Sequence, residues 1–167
     1  MKNIVLIGFM GTGKTVVGRR LATRLKRKFI DTDLAIEELT GKTIAEIFRK
    51  DGIIRFRSEE KLLSKRLANT EDLVISTGGG MVLDVENVDH LKKNGVLVCL
   101  TAEPEIIYQR VKNKRNRPLL KKGNIKETVF KLFNERKGMY DVAEYKVDTG
   151  KYSLSETLEK ITSFLRE

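Results

Sequence analysis

Eight residues near the start of the chain carry its clearest chemical pattern, Gly8-Phe9-Met10-Gly11-Thr12-Gly13-Lys14-Thr15, which has the spacing G-x-x-x-x-G-K-[ST]. Glycines at both ends let the backbone turn tightly, so that successive N–H groups aim inward at phosphate oxygens. The apolar run Ile4 to Ile7 precedes the loop and a segment of helical period follows it. The loop therefore opens a helix whose positive dipole end strengthens the anion site. In such a loop Gly11, Thr12 and Gly13 form the cradle, Lys14 bridges the outer phosphates and the Thr15 hydroxyl is a ligand for Mg2+. The spacing implies a bound nucleoside triphosphate such as ATP, but it names no acceptor, because hydrolases and transferases share it.

Three further groups of residues bear on an acceptor. Phe29-Ile30-Asp31-Thr32-Asp33 puts two carboxylates at the end of a second apolar run. Asp31 is placed to hold a metal-bound water, and Asp33 to orient an attacking hydroxyl and take its proton. Alternatively, one of them only caps the helix expected from Leu34 onward. Ser76-Thr77-Gly78-Gly79-Gly80 follows a third run, and its glycines permit close approach of backbone to a ligand; a plain flexible loop is the alternative. No acidic residue follows this run, so Ser76 or Thr77, acting through water with the charge of Asp31, would replace the aspartate common there. Arg57, in Phe56-Arg57, and Arg136 offer planar forks that match a carboxylate with two hydrogen bonds, although most arginines are solvated surface charges.

These residues need elements to position them. Short apolar runs at 4–7, 29–30, 73–75, 96–100 and 145–147 alternate with segments of helical period near 13–27, 34–50, 54–68, 84–93, 103–112, 125–140 and 154–165. Thr43-x-x-Glu46 and Ser153-x-x-Glu156 read as capping boxes, and Gly41 and Gly52 as helix stops. Strands alternating with helices predict an α/β fold with a five-stranded parallel sheet, its strands buried on both faces in a three-layer α/β/α sandwich. Ligands of such sheets bind beyond the carboxyl ends of the strands, here just after residues 7, 30, 75, 100 and 147. Three of these places coincide with the motifs above.

The totals narrow the classes. A chain of 167 residues, 40% hydrophobic and 34% charged, without repeats or linkers, fits a single domain, 1–167. Cys99 is the only cysteine and lies in an apolar run, which predicts a buried, inert thiol and a reducing, cytoplasmic setting. The apolar stretch at 4–7 is too short for a secretory segment, and no run approaches the roughly 20 apolar residues that span a bilayer. The net charge of +10 suits either nucleic acid or a site that handles several phosphates and a carboxylate. The densest basic segment, 110–122, holds no aromatic residue on which a base would stack and is interrupted by Pro118-Leu119-Leu120; it reads as a mobile loop. His90 stands alone and reads as structural or surface.

With GFMGTGKT at 8–15, FIDTD at 29–33, IEELTGKTIAEIF at 36–48, FR at 56–57, STGGG at 76–80, RPLL at 117–120 and VDTG at 147–150, the chain resembles the shikimate kinase family over nearly its whole length. The resemblance implies a P-loop NTPase-type fold like that of the nucleoside monophosphate kinases, and MgATP-dependent phosphorylation of the shikimate 3-hydroxyl on the route to chorismate and the aromatic amino acids. It implies that Asp33, Arg57, Gly79, Gly80 and Arg136 hold shikimate, within a helical acceptor region of about 34–62. Thr15 and Asp31 would serve magnesium. Arg117 would sit in a lid of about 112–124 and, with Lys14 and Asp33, act in catalysis. Arg110, Lys151 and the loop after Asp148 would frame the adenine. The enzyme would be a cytoplasmic monomer without nucleic-acid or membrane partners. Three positions depart from the family pattern: Ile53 where glutamate is usual, Arg136-Lys137-Gly138-Met139-Tyr140 where the family reads R-x-P-L-Y, and Ser153 near a usual proline. Glycine for proline is expected to loosen the backbone beyond Arg136. Two alternatives stand beside this reading: a kinase of the same fold acting on another small acid or polyol such as gluconate, and a non-catalytic ATP- or nucleic-acid-binding module, which only the net charge supports.

Overall fold

The computed structural model describes residues 1–114, 117–120 and 123–167. Its strands β1 (Asn3–Ile7), β2 (Lys28–Asp31), β3 (Leu73–Ser76), β4 (Gly95–Thr101) and β5 (Tyr145–Asp148) form one parallel sheet in the order β2-β3-β1-β4-β5. β1 lies in the middle, with Val5 opposite Ile75 on β3 and Leu97 on β4. Side chains of a strand alternate between faces, and β1 divides accordingly. Val5 and Ile7 join one core with Ile75, Leu97 and Cys99, while Ile4 and Leu6 join the other with Val74, Val98 and Leu100.

Helices cover both cores, giving the expected three layers. They are α1 (Lys14–Leu25), α2 (Thr32–Thr40), α3 (Ile44–Lys50), α4 (Gly52–Leu67), α5 (Val85–Lys93), α6 (Pro104–Val111), α7 (Ile125–Glu135) and α8 (Leu154–Phe164). Helices α1 and α8 pack on one face through Val17, Leu21 and Ile161. Helices α2 to α5 pack on the other through Ile36, Ile47, Phe56, Leu63 and Leu91. Full burial of strands holds for β1 and β3, whereas the edge strands β2 and β5 are only partly covered. An edge strand has one neighbour instead of two, and the helical layers thin out beside it.

Two expected helices are shorter than the periodicity suggests. The 34–50 segment breaks after α2, where Gly41 turns at φ +67 and the Thr43–Glu46 capping box starts α3 with both of its hydrogen bonds in place. The 125–140 segment stops at Glu135. Beyond it the chain makes a tight turn, with Met139 N–H on the Arg136 carbonyl at 3.0 Å and Asp141 N–H on the Gly138 carbonyl at 3.1 Å. Gly138 has φ +85, a conformation closed to proline. Glycine here therefore shapes a hydrogen-bonded turn where looseness was expected. Within the expected lid, Pro118–Leu120 forms a 3-10 turn whose Leu120 is buried against Phe9, Ile107 and Val129; residues 115, 116, 121 and 122 lie outside the described residues. Among the described residues no helix is long and apolar enough to cross a membrane.

Candidate active site

The glycine-rich loop leaves the end of β1 and is moulded by close contacts. Gly8 has φ +144, and a Cβ there would lie 2.3 Å from the Leu100 carbonyl oxygen, so no other residue fits. Lys14 is buried and its Nζ donates to the carbonyls of Gly8 and Phe9 at 2.8 and 2.9 Å, while Thr12 Oγ1 donates to the Phe9 carbonyl at 2.8 Å. Burial, reinforced by the nearby Arg117 guanidinium, lowers the Lys14 ammonium to about 8, against the pull of Asp33 and Asp31. The outer side of the loop is tied to the β5–α8 connection. Arg110 of α6 donates to the Gly11 carbonyl at 3.0 Å and to the Thr149 carbonyl at 2.8 Å, and Thr149 Oγ1 donates to the Thr12 carbonyl at 2.7 Å. The cavity beside this loop, about 640 Å³, is lined by residues 11–17 and closed by Arg110, Arg117, Tyr152 and Thr157. Lys151 is not brought in: it is exposed, and its ammonium lies over the Tyr152 ring at 5.4 Å.

At the floor of the cavity Thr15 Oγ1 donates to Asp31 Oδ2 at 2.9 Å. The other Asp31 oxygen accepts from the N–H groups of Asp33 and Leu34 at 3.0 and 3.3 Å, which caps α2. The capping role thus falls to Asp31, in addition to its link with Thr15, and Asp33 is left free for other work. Among the described residues no cluster of three histidine, cysteine or carboxylate side chains is present. A cation at the Thr15–Asp31 pair would draw its remaining ligands from phosphates and water, which fits Mg2+ and its preference for few protein ligands. The Thr77 hydroxyl donates to the Leu6 carbonyl at 3.0 Å, leaving only its lone pairs to face the cavity.

A second cavity of about 570 Å³ lies between the strand ends and helices α2 to α4. Asp33, Arg57, Gly79, Gly80 and Arg136 all line it, so the expected acceptor residues converge. Asp33 Oδ1 is buried with no hydrogen-bond partner. Burial first and the Asp31 charge second push the Asp33 carboxyl up to about 6, against Lys14 and Arg117. Gly80 leaves room for Arg57, whose guanidinium would lie 2.5 Å from a Cβ at that position. Arg136 caps α7, is 8% exposed, and has its guanidinium 5.7 Å from the Phe9 ring centre. Tyr140 donates its hydroxyl to the Gly79 carbonyl at 2.6 Å. Ile53 is exposed and does not line the cavity.

Sequence reasoning missed Glu60. It is fully buried, accepts from Arg57 at 2.5 Å, and keeps Oε2 without a partner inside the acceptor cavity. Burial raises its pKa and Arg57 resists the rise. The available signal was spacing, since a carboxylate three residues beyond Arg57 on a helix sits on the same face.

The two cavities share Thr15, Asp31, Asp33, Gly78, Gly79 and Arg117 on their walls, so a group held in one meets a group held in the other at Asp33. The sequence model of the shikimate kinase family matches residues 10–166. The chain belongs to the shikimate kinase family. A shikimate kinase from Pelotomaculum thermopropionicum is 67% identical over all of this chain and 97% of its own length. Another, from Desulforudis audaxviator, is 55% identical over all of this chain and 88% of its own. The structure of shikimate kinase from Acinetobacter baumannii in complex with shikimate superposes with a TM-score of 0.93, at 38% identity, covering 99% of this chain and 93% of that one. As a member of the shikimate kinase family the chain is an ATP-dependent kinase whose phosphoryl acceptor is an alcohol group.

Proposed function

We propose that this chain transfers the γ-phosphoryl group of ATP to the 3-hydroxyl of shikimate with the help of Mg2+, as a monomer in the cytoplasm. The observation that carries the proposal is the junction of the two cavities at Asp33 and Arg117. The glycine-rich loop and Lys14 hold the triphosphate, with Arg110 and the loop after Asp148 beside the base. Arg57 and Arg136 grip the substrate carboxylate by paired hydrogen bonds, and the backbone of Gly79 and Gly80 beside them completes the hold on the substrate. Asp33 orients the hydroxyl and receives its proton. Arg117, in the segment of about 112–124 that would serve as a lid, brings positive charge to the transferred group and helps to exclude water. Thr15 and Asp31 would hold Mg2+, which when bound neutralises charge on the outer phosphates.

The unpartnered Asp33 oxygen supports this assignment, because a buried carboxylate oxygen without a donor is costly unless a ligand supplies one. The test is an ADP-release assay with shikimate, with gluconate and without acceptor. ADP is expected only with shikimate. Equal release without acceptor, or a preference for gluconate, overturns the proposal.

A further inference from the structure

Tyr140 lies outside every group of residues assigned above, yet it touches the acceptor backbone. The turn at Gly138 carries it from the end of α7 to the three-glycine loop, where its hydroxyl lies 2.6 Å from the Gly79 carbonyl oxygen. Its ring packs between the core under α2 to α5 and the core under the glycine-rich loop, so the hydroxyl has little freedom. Burial pushes the phenol up to about 12, with Arg136 opposing, and the group therefore stays protonated and donates.

The peptide between Gly79 and Gly80 is trans, so its C=O and N–H point in opposite directions. With the carbonyl held by Tyr140, the Gly80 N–H points away from Tyr140, and Gly80 itself lines the cavity that contains Arg57. Gly80 is buried, and its N–H has no protein acceptor among the described residues. Neighbouring glycines impose almost no orientation of their own on the peptide between them. A flip would present a carbonyl oxygen, instead of a donor, to an anionic acceptor. Arg136 and Tyr140 also ride on the same turn, joined by the Met139–Arg136 hydrogen bond, so one segment sets both the guanidinium and the amide.

We propose that Tyr140 is a positioning residue for the phosphoryl acceptor: its hydroxyl latches the Gly79–Gly80 peptide with the Gly80 N–H facing the bound acid. This rests on the reading of Gly79, Gly80 and Arg136 as acceptor contacts.

Tyr140→Phe removes the hydroxyl and keeps the ring. The ring stays packed against both cores, so only the hold on one peptide is lost and the effect is partial. The KM for shikimate is expected to rise about three- to tenfold, the value of one ordinary hydrogen bond, with kcat within about twofold and the KM for MgATP unchanged. A merely structural role would lower Tm and spare this selectivity. In the unmodified protein with glycine-selective 15N labelling, shikimate is expected to shift the Gly80 amide resonance and slow its hydrogen exchange, a readout that does not depend on the variant folding. Arg136→Ala serves as the reference. If it raises the shikimate KM while Tyr140→Phe does not, the latch is overturned and the acceptor reading stands. If neither does, the acceptor reading itself falls. An unperturbed Gly80 amide in shikimate-saturated protein also overturns the latch.

Discussion

The two halves of the site are built from different materials. The nucleotide side is mostly backbone, and most of its polar atoms are already engaged: Lys14 on two loop carbonyls, one of them shared with Thr12, and Arg110 and Thr149 on two more. The acceptor side is made of charged side chains, and most of the buried polar atoms that lack partners among the described residues lie on its wall: Glu60 Oε2 within it and Asp33 Oδ1 and Arg117 Nε at its junction with the nucleotide cavity, against Thr157 Oγ1 on the nucleotide side. The contrast follows from the ligands. Every nucleoside triphosphate presents the same tail, so a fixed nest of N–H groups serves. A particular small acid must be distinguished from others, and a site with unmet hydrogen-bonding groups rejects molecules that leave them unmet. Selectivity thus resides where the free protein is least satisfied.

Removing a charge from the engaged half should have the largest effect. Lys14→Ala is expected to lower kcat at least about a thousandfold, since it deletes a preorganised cation beside the transferred group; residual turnover within tenfold of the parent would dissolve the contrast. Asp33→Asn is expected to lower kcat about a thousandfold with the dissociation constant of MgATP nearly unchanged by calorimetry. The same variant should be more stable than the parent at pH 8. Folding raises the Asp33 pKa from 3.8 to about 6, so the stability tied to its neutral form is complete below about pH 4 and lost as pH rises through about 6. Asparagine is neutral throughout, and a gain of up to about 2 kcal/mol at pH 8, discounted for partial exposure, should vanish on acidification. Equal stability of the two proteins at pH 8 would mean that the acceptor side is not under electrostatic tension.

The pH profile sharpens the comparison further, because each half owns one limb. With Asp33 near 6 and Lys14 near 8 in the free enzyme, kcat/KM should rise through about pH 6 as the carboxylate forms and fall above about pH 8 as the ammonium is lost, about tenfold per pH unit beyond each limb. Asp33→Asn should abolish the acid limb and leave the alkaline one. The smallest effect belongs to Glu60→Gln, which weakens the anchor of Arg57. The KM for shikimate is expected to rise about fivefold, close to 1 kcal/mol, and the KM for MgATP to stay constant. A change in both would mean that Glu60 supports the whole domain.

What the sequence could convey tracks the same division. The glycine-rich loop is legible because backbone turns demand glycine at set intervals, and the strands because β1, β3 and β4 are continuously apolar. The convergence of Arg57, Gly80 and Arg136 was expected only by resemblance, since their contacts depend on helix placement that no local pattern encodes. Glu60 escaped notice because a glutamate on a helix is ordinarily solvated, and only tertiary packing makes it buried. Lys151 was expected beside the base, but the turn after β5 sends it outward and brings Tyr152 and Thr157 to the cavity instead. The split between α2 and α3 was marked by Gly41 and Thr43, whereas the end of α7 was not, because the apolar period runs on into the turn at Gly138.

The clasp between Thr149 and the carbonyl of Thr12 joins residues 137 positions apart. A ribosome therefore releases the glycine-rich loop early and its last restraint late. Until β5 and the residues after it have emerged, the nascent polypeptide shapes the loop only through the loop's own Lys14 and Thr12 bonds and through Arg110. The last restraint on nucleotide capture is thus deferred to the closing stage of synthesis.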